Sequence, residues 1–176
     1  MKSFWLAAAL VLLVWANPAA AAILEGRVVG VADGDTVTVL DADNERHRIR
    51  LSGIDAPERR QPFSQRSKQM LSDLVYGKEV AVHWDKRDRY GRIVGRVLVA
   101  EAACEKDCVR SLDTGLALVR SGLAWWYRYY AKEQPPEERK RYEAAETQAR
   151  QARVGLWSEP NPTAPWDYRK SRRKKK

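Results

Sequence analysis

Short β-branched apolar runs over 26–31 and Thr36–Leu40, the second alternating with polar residues, predict two strands. Ala32-Asp33-Gly34-Asp35 between them is turn chemistry, so the pair reads as a hairpin. Asp41-Ala42-Asp43-Asn44 is a second turn signal, after which Arg46–Leu51 alternates charge with apolar residues as a third strand of an antiparallel meander. The period then lengthens. Met70, Leu71, Leu74 and Val75 recur at helical spacing within 64–76, and Gly77 stands where a glycine ends a helix. Two more strands are predicted over 79–84 and 94–100, with 85–91 as the charged loop between them. A second helix over 111–121 follows from Leu112, Leu116, Leu118 and Val119, stopping at Gly122 despite the internal Gly115. A third opens at Pro135-Pro136-Glu137 and runs to Arg153, with Glu138, Tyr142, Ala145, Ala149 and Ala152 on one face.

Five strands with a helix after the third match a small Greek-key OB barrel, an α+β fold with a mainly β core and about three helices, whose face and loops often bind oligonucleotides. Ahead of it, Lys2 and an apolar run over 4–16 precede Ala20-Ala21-Ala22. The run is shorter than the roughly 20 residues a bilayer span needs, so 1–22 reads as a secretory signal peptide and the chain as secreted or periplasmic, with no membrane span once it is cleaved. The domain is expected over 23–160, acting as a monomer. Beyond it lies 161–176, whose last eight residues hold seven Lys and Arg and predict a basic disordered tail.

Charge narrows the partners. With 32 Lys+Arg against 23 Asp+Glu the net charge is +9, a balance that attracts polyanions, nucleic acid first among them. Cys104 and Cys108 are the only cysteines, and in an oxidising compartment their spacing fits a local structural disulfide. Half of a zinc site is the competing reading, but His47 and His83, the only histidines, neighbour neither cysteine in sequence.

The chemistry concentrates in Arg50-Leu51-Ser52-Gly53-Ile54-Asp55-Ala56-Pro57-Glu58, a strand end running into a turn. Alternation puts Arg50, Ser52 and Ile54 on one side, and Pro57 forces Ala56 out of the α region, leaving carboxylates and carbonyls of the turn exposed to a hard cation. Hydrolysis of a phosphodiester builds negative charge on the phosphoryl oxygens, so a site needs cations aimed there and a group that activates water. Arg50 and Arg92 each offer a bidentate fork to such oxygens. Asp35 and Asp55, with a backbone carbonyl, would form an oxygen-only cage of the kind that favours calcium or magnesium.

Asp33-Gly34-Asp35-Thr36, then Arg50 with Asp55-Ala56-Pro57-Glu58, then Asp88-Arg89-Tyr90-Gly91-Arg92, extended by Gly122-Leu123-Ala124 and Leu156-Trp157-Ser158-Glu159, resemble the staphylococcal nuclease (thermonuclease) family in order and spacing. The resemblance implies a calcium-dependent, sugar-nonspecific nuclease that cleaves DNA and RNA to 3′-phosphate ends. It assigns Arg50, Glu58 and Arg92 to catalysis and Asp35, Asp55 and the carbonyl of Ala56 to Ca2+. Arg89, Tyr90 and Tyr130 match substrate contacts. The sequence departs from the family at Ala56, where a threonine is usual, in a shorter segment after Glu58, and at Arg128, which lines up with a nucleotide-contacting tyrosine.

Each of these residues has a plainer reading. Loop carboxylates are mostly turn and cap residues, and surface arginines mostly join weak ion pairs; it is the combination that points to a site. Among Trp125, Trp126, Tyr127, Tyr129 and Tyr130, about half are expected in the core and the rest are candidates for stacking bases. Trp84 and Trp157 are expected in the core. A nucleic-acid-binding OB module without hydrolytic activity is the rival expectation.

Overall fold

Apolar side chains on alternate positions of Thr36–Leu40 and Arg46–Leu51 are buried, with Val37, Val39, Ile49 and Leu51 almost fully enclosed. These inward faces make a closed barrel. The structure, a computed structural model, describes residues 22–101 and 109–174. The expected leader lies outside them except for Ala22, and so do Cys104 and Cys108.

β1 (Ala22–Asp33) pairs antiparallel with both β2 (Thr36–Leu40) and, along its first half, β5 (Glu79–Arg87). β3 (Arg46–Leu51) pairs with β2 and then closes the barrel by running parallel to β6 (Ile93–Ala100), with Ile49 beside Ile93 and Arg50 beside Val94. The result is the expected mixed five-stranded OB-like barrel carried with several helices. Helix α1 (Ser64–Val75) covers the core with Leu71 and Val75. A two-stranded ribbon pairs β4 (Ile54–Asp55) with β8 (Trp125–Trp126).

Several boundaries differ from the sequence reading, each for a local reason. β5 continues past Trp84 to Arg87 because a bulge between Trp84 and Lys86 lets the charged residues keep pairing with β6, so the expected loop shrinks to a tight turn at Asp88. The stretch Arg110–Asp113 is a strand, β7, at the edge of β6, and helix α2 (Thr114–Arg120) starts only where Asp113 accepts a bond from the Leu116 N–H at 3.0 Å. Helix α3 (Pro136–Gln151) stops short of Ala152, which is exposed; in its place Glu146 is buried, accepting from the Trp126 N–H and paired with Arg128 at 2.8 Å. Trp84 is half-buried against the core, while Trp157 and Trp125 pack edge to face at 4.4 Å in a second cluster.

The largest difference is at the end. Residues 165–173, expected as disordered tail, form helix α4 (Pro165–Arg173). Pro165 starts it in the position proline favours, and Trp166 lies parallel to Tyr127 with ring centroids 5.3 Å apart. The aromatic packing and two carboxylates described next offset the repulsion among its basic residues.

Candidate active site

The Asp33-Gly34-Asp35 turn is fixed by the Asp35 N–H donating to Asp33 Oδ1 at 3.1 Å. Gly34 is packed so closely on α1 that a Cβ there would overlap Ser67 Oγ and lie 2.8 Å from Ala56 Cβ. This close approach lets Asp35 Oδ2 accept the Ala56 N–H at 2.8 Å, tying the first hairpin to the turn after β4. Arg50 joins the two: Nη1 meets Asp35 Oδ2 at 3.1 Å and Nη2 donates to Asp55 Oδ1 at 3.0 Å. The three side chains are largely withdrawn from solvent, Asp55 at 1% and Arg50 at 13% exposure.

Register explains how Arg92 reaches the same groove. Ile49 and Ile93 are partners and both point into the barrel, so Arg50 and Val94 point out, and Arg92, two residues before Val94, points out with them. Arg92 is held within its own turn, with Nε donating to Asp88 Oδ2 at 2.7 Å. Glu58, half-buried, sits in a turn in which its N–H donates to Gln61 Oε1 at 2.9 Å.

All nine residues expected at the site, Asp35, Arg50, Asp55, Ala56, Glu58, Arg89, Tyr90, Arg92 and Tyr130, line one groove of about 1450 Å³. Tyr90 and Tyr130 are open to solvent there, and the Arg89 guanidinium lies 4.9 Å from the Tyr90 ring. Arg128 does not line the groove; it packs over Trp126 and pairs with Glu146, and Tyr127 lines the groove instead. Of the five aromatics, Trp125 and Trp126 are buried and Tyr129 and Tyr130 exposed, close to the expected division.

Helix α4 brings three further residues to the groove that were not anticipated, Trp166, Arg169 and Arg173. Arg169 donates to Asp55 Oδ2 and to Glu58 Oε1, each at 2.7 Å. The sequence signal was present in Ala164-Pro165-Trp166-Asp167-Tyr168, a proline start with an acid in the first turn and two aromatics, set ahead of the basic run.

Electrostatics follow from burial. Burial pushes the Asp55 carboxyl above its ordinary value, against the pull of Arg169 and Arg50. Burial and then the neighbouring Asp35 raise Asp33. Tyr127 is raised by burial and by the Asp55 charge. Burial alone would raise Asp88, but the bonds from Arg92 outweigh it and hold that carboxyl below its ordinary value. Burial works against the Arg169 guanidinium, and its two carboxylate partners more than restore it, so it holds its proton more firmly than a free arginine.

The donor set suits a hard divalent cation. Asp35 and Asp55 are carboxylates brought together by one arginine, the Ala56 backbone is bonded to Asp35, and the Asp55–Glu58 pair already holds a positive group, the Arg169 guanidinium. A second acidic cluster, Asp41, Glu45 and His47, has ligand atoms within 4.8 Å of one another. Its geometry is that of a turn, with Asp41 Oδ1 accepting the Asp43 and Glu45 N–H groups and Asp41 Oδ2 bonded to His47, and none of the three lines the groove.

The family model described as staphylococcal nuclease homologue matches residues 48–159. A Protein ParB from Escherichia coli is 43% identical over 165 residues, which cover 93% of this chain and 89% of that protein. A micrococcal nuclease from Shigella flexneri is 40% identical over 169 residues, 94% of this chain and 90% of its own length. A protein named as an uncharacterized endonuclease from Escherichia coli is 38% identical over 160 residues, covering 91% of this chain and 94% of that one. With the barrel, the groove and these likenesses together, the chain belongs to the staphylococcal nuclease homologue family.

Proposed function

We propose that the protein is a calcium-dependent nuclease that hydrolyses phosphodiester bonds of DNA and RNA and leaves 3′-phosphate ends. The observation that carries this reading is the convergence of Asp35, Arg50, Asp55, Glu58 and Arg92 on one groove from segments far apart in the chain. The names of the relatives, micrococcal nuclease and endonuclease, support it.

The chain's own residues divide the work. Arg50, anchored by two buried carboxylates, and Arg92, anchored by Asp88, present guanidinium forks to the non-bridging oxygens, where charge grows as water attacks. Because each fork is held before substrate arrives, little reorganisation is needed at the moment of reaction. Glu58 orients the attacking water and accepts its proton. Asp35, Asp55 and the Ala56 carbonyl would hold the calcium ion, which when bound supplies further positive charge against the scissile phosphate. Tyr130 and Tyr90, exposed at the groove, offer their rings to neighbouring nucleotides, and contacts to phosphate and ring rather than to the 2′ position leave DNA and RNA equivalent. The basic balance of the chain draws polyanions to the groove. The apolar run and alanines of 1–22 support export, with the enzyme acting outside the cytoplasm.

Release of acid-soluble nucleotides from single-stranded DNA and from RNA, with end-group analysis of the fragments, tests the proposal. Calcium-dependent release ending in 3′-phosphate, abolished by a chelator and cut by Glu58→Ser, is expected. Equal release after chelation removes the metal from the reading, and a gel shift with no cleavage turns the protein into a binding module.

A further inference from the structure

The groove is occupied by a part of the chain that lies outside the family-matched segment 48–159. Arg169 reaches Asp55 Oδ2 at 2.7 Å, Asp55 Oδ1 at 3.2 Å and Glu58 Oε1 at 2.7 Å. These are a carboxylate assigned to the cation and the carboxylate assigned to water. We infer that α4 is an internal latch: the Arg169 guanidinium and a divalent cation compete for Asp55, so the chain holds its own site closed until a cation displaces the arginine.

The competition is steric and electrostatic. A calcium ion takes carboxylate oxygens at about 2.3–2.6 Å, and at Asp55 Oδ2 a guanidinium nitrogen already stands at 2.7 Å. Arg50 already holds Asp55 Oδ1 at 3.0 Å, so Arg169 fills the oxygen left for a cation, and a further positive charge there is repelled by both guanidinium groups. Glu58 cannot serve a water molecule well while its Oε1 accepts a charge-assisted bond.

The construction of α4 separates an anchor from a movable tip. Ala164 and Pro165 are buried, Trp166 packs against both Tyr127 and Trp125, and the Thr163 carbonyl accepts from Gln61 Nε2 at 2.8 Å. The same Gln61 holds the Glu58 N–H, so the anchor is tied to the turn that carries the water-activating carboxylate. Arg169 is 34% exposed, and Lys170, Arg172 and Arg173 beyond it are exposed, so the tip can lift from the carboxylates while the anchor stays packed.

The inference rests on the metal reading above, and calcium binding separates the two. Calorimetric titration of the full chain with calcium should give a dissociation constant at least about 10-fold lower for Arg169→Gln than for the wild type. Trp166→Ala, which loosens the anchor without touching a carboxylate, should shift it in the same direction. If the two variants disagree, Arg169→Gln decides. In the wild type, calcium should speed amide hydrogen exchange over 169–173; in Arg169→Gln that exchange should be fast with or without calcium. Equal calcium affinity in all three proteins, with exchange over 169–173 unchanged by the ion, overturns the latch and leaves the metal reading standing. No calcium binding by any of them overturns the metal reading and the latch with it.

Discussion

Arg50 and Arg92 face the same groove but are held in opposite ways. Arg50 leaves a core strand of the barrel and is clamped between two acids delivered by different turns, with only 13% of its side chain exposed. Arg92 sits at the rim, held by Asp88 four residues earlier in the same turn, where the pair is part-buried at 22% and 19% exposure. One half of the site is therefore built by the tertiary fold and the other by local turn geometry. A core-built half should couple catalysis to stability, and a turn-built half should not.

The sharpest way to break this contrast is to remove each arginine in turn. Arg50→Ala leaves Asp35 buried without a cation and Asp55 held by Arg169 alone, which should cost about 3–5 kcal/mol of stability. Arg92→Ala should remove about 10²–10³ in kcat by loss of one preorganised donor, yet lower stability by less than about 1 kcal/mol, as for a surface pair. Thermal unfolding beside nuclease rate checks both. If Arg92→Ala unfolds as readily as Arg50→Ala, the division into core-built and turn-built halves is wrong.

The same contrast decides how much was legible from sequence. The barrel strands are legible as β-branched and alternating runs, while the Asp88 turn is legible only as part of a longer charged loop, because pairing across a bulge carries β5 on to Arg87. That Asp35, Arg50 and Asp55 would meet is not written in any one segment; it was legible because the order of motifs resembled a family whose fold supplies the closure between β3 and β6. The carboxylate contacts of Arg169 were not legible, although the start of its helix was. A basic segment with little apolar content reads as disordered when its partners are unknown, and here the partners stand 111 and 114 positions earlier in the chain. Glu146 was missed for a related reason, since a glutamate in a charged helix looks exposed until Trp126 and Arg128 are placed beside it.

Glycines sharpen the comparison with a smaller effect. At Gly34 the backbone is ordinary but space is absent, so Gly34→Ala must push Ala56 or Ser67 away and loosen the Asp35 bond to the Ala56 N–H. A cost of about 1–3 kcal/mol is expected from such overpacking, together with a fall in nuclease rate. Gly91, in the Arg92 turn, has open space around it but φ of +77°. Gly91→Ala should cost only about 1–2 kcal/mol from the left-handed backbone, and Gly91→Asn less, because asparagine tolerates that conformation. Urea unfolding of these three variants and of Gly34→Asn checks this ranking; a Gly34→Asn protein as stable as the wild type would contradict it.

The smallest effect concerns pH. Asp88 Oδ1 accepts the N–H groups of Tyr90 and Arg92 while Oδ2 takes the Arg92 side chain, and these bonds hold its carboxyl below the ordinary value. A depressed carboxylate contributes its order above the ordinary aspartate value of about 4 and loses it as pH falls through the lowered value. The Arg92 Nε–H resonance should therefore stay put from neutral pH down to about 4 and move only below it. In Asp88→Asn it should be displaced already at neutral pH and show no titration there, with a rate loss of less than about 10-fold, because the amide still accepts backbone bonds without charge. Movement of the wild-type resonance well above pH 4 would mean that a group outside the turn controls Arg92, and the rim half of the site would then depend on the fold as Arg50 does.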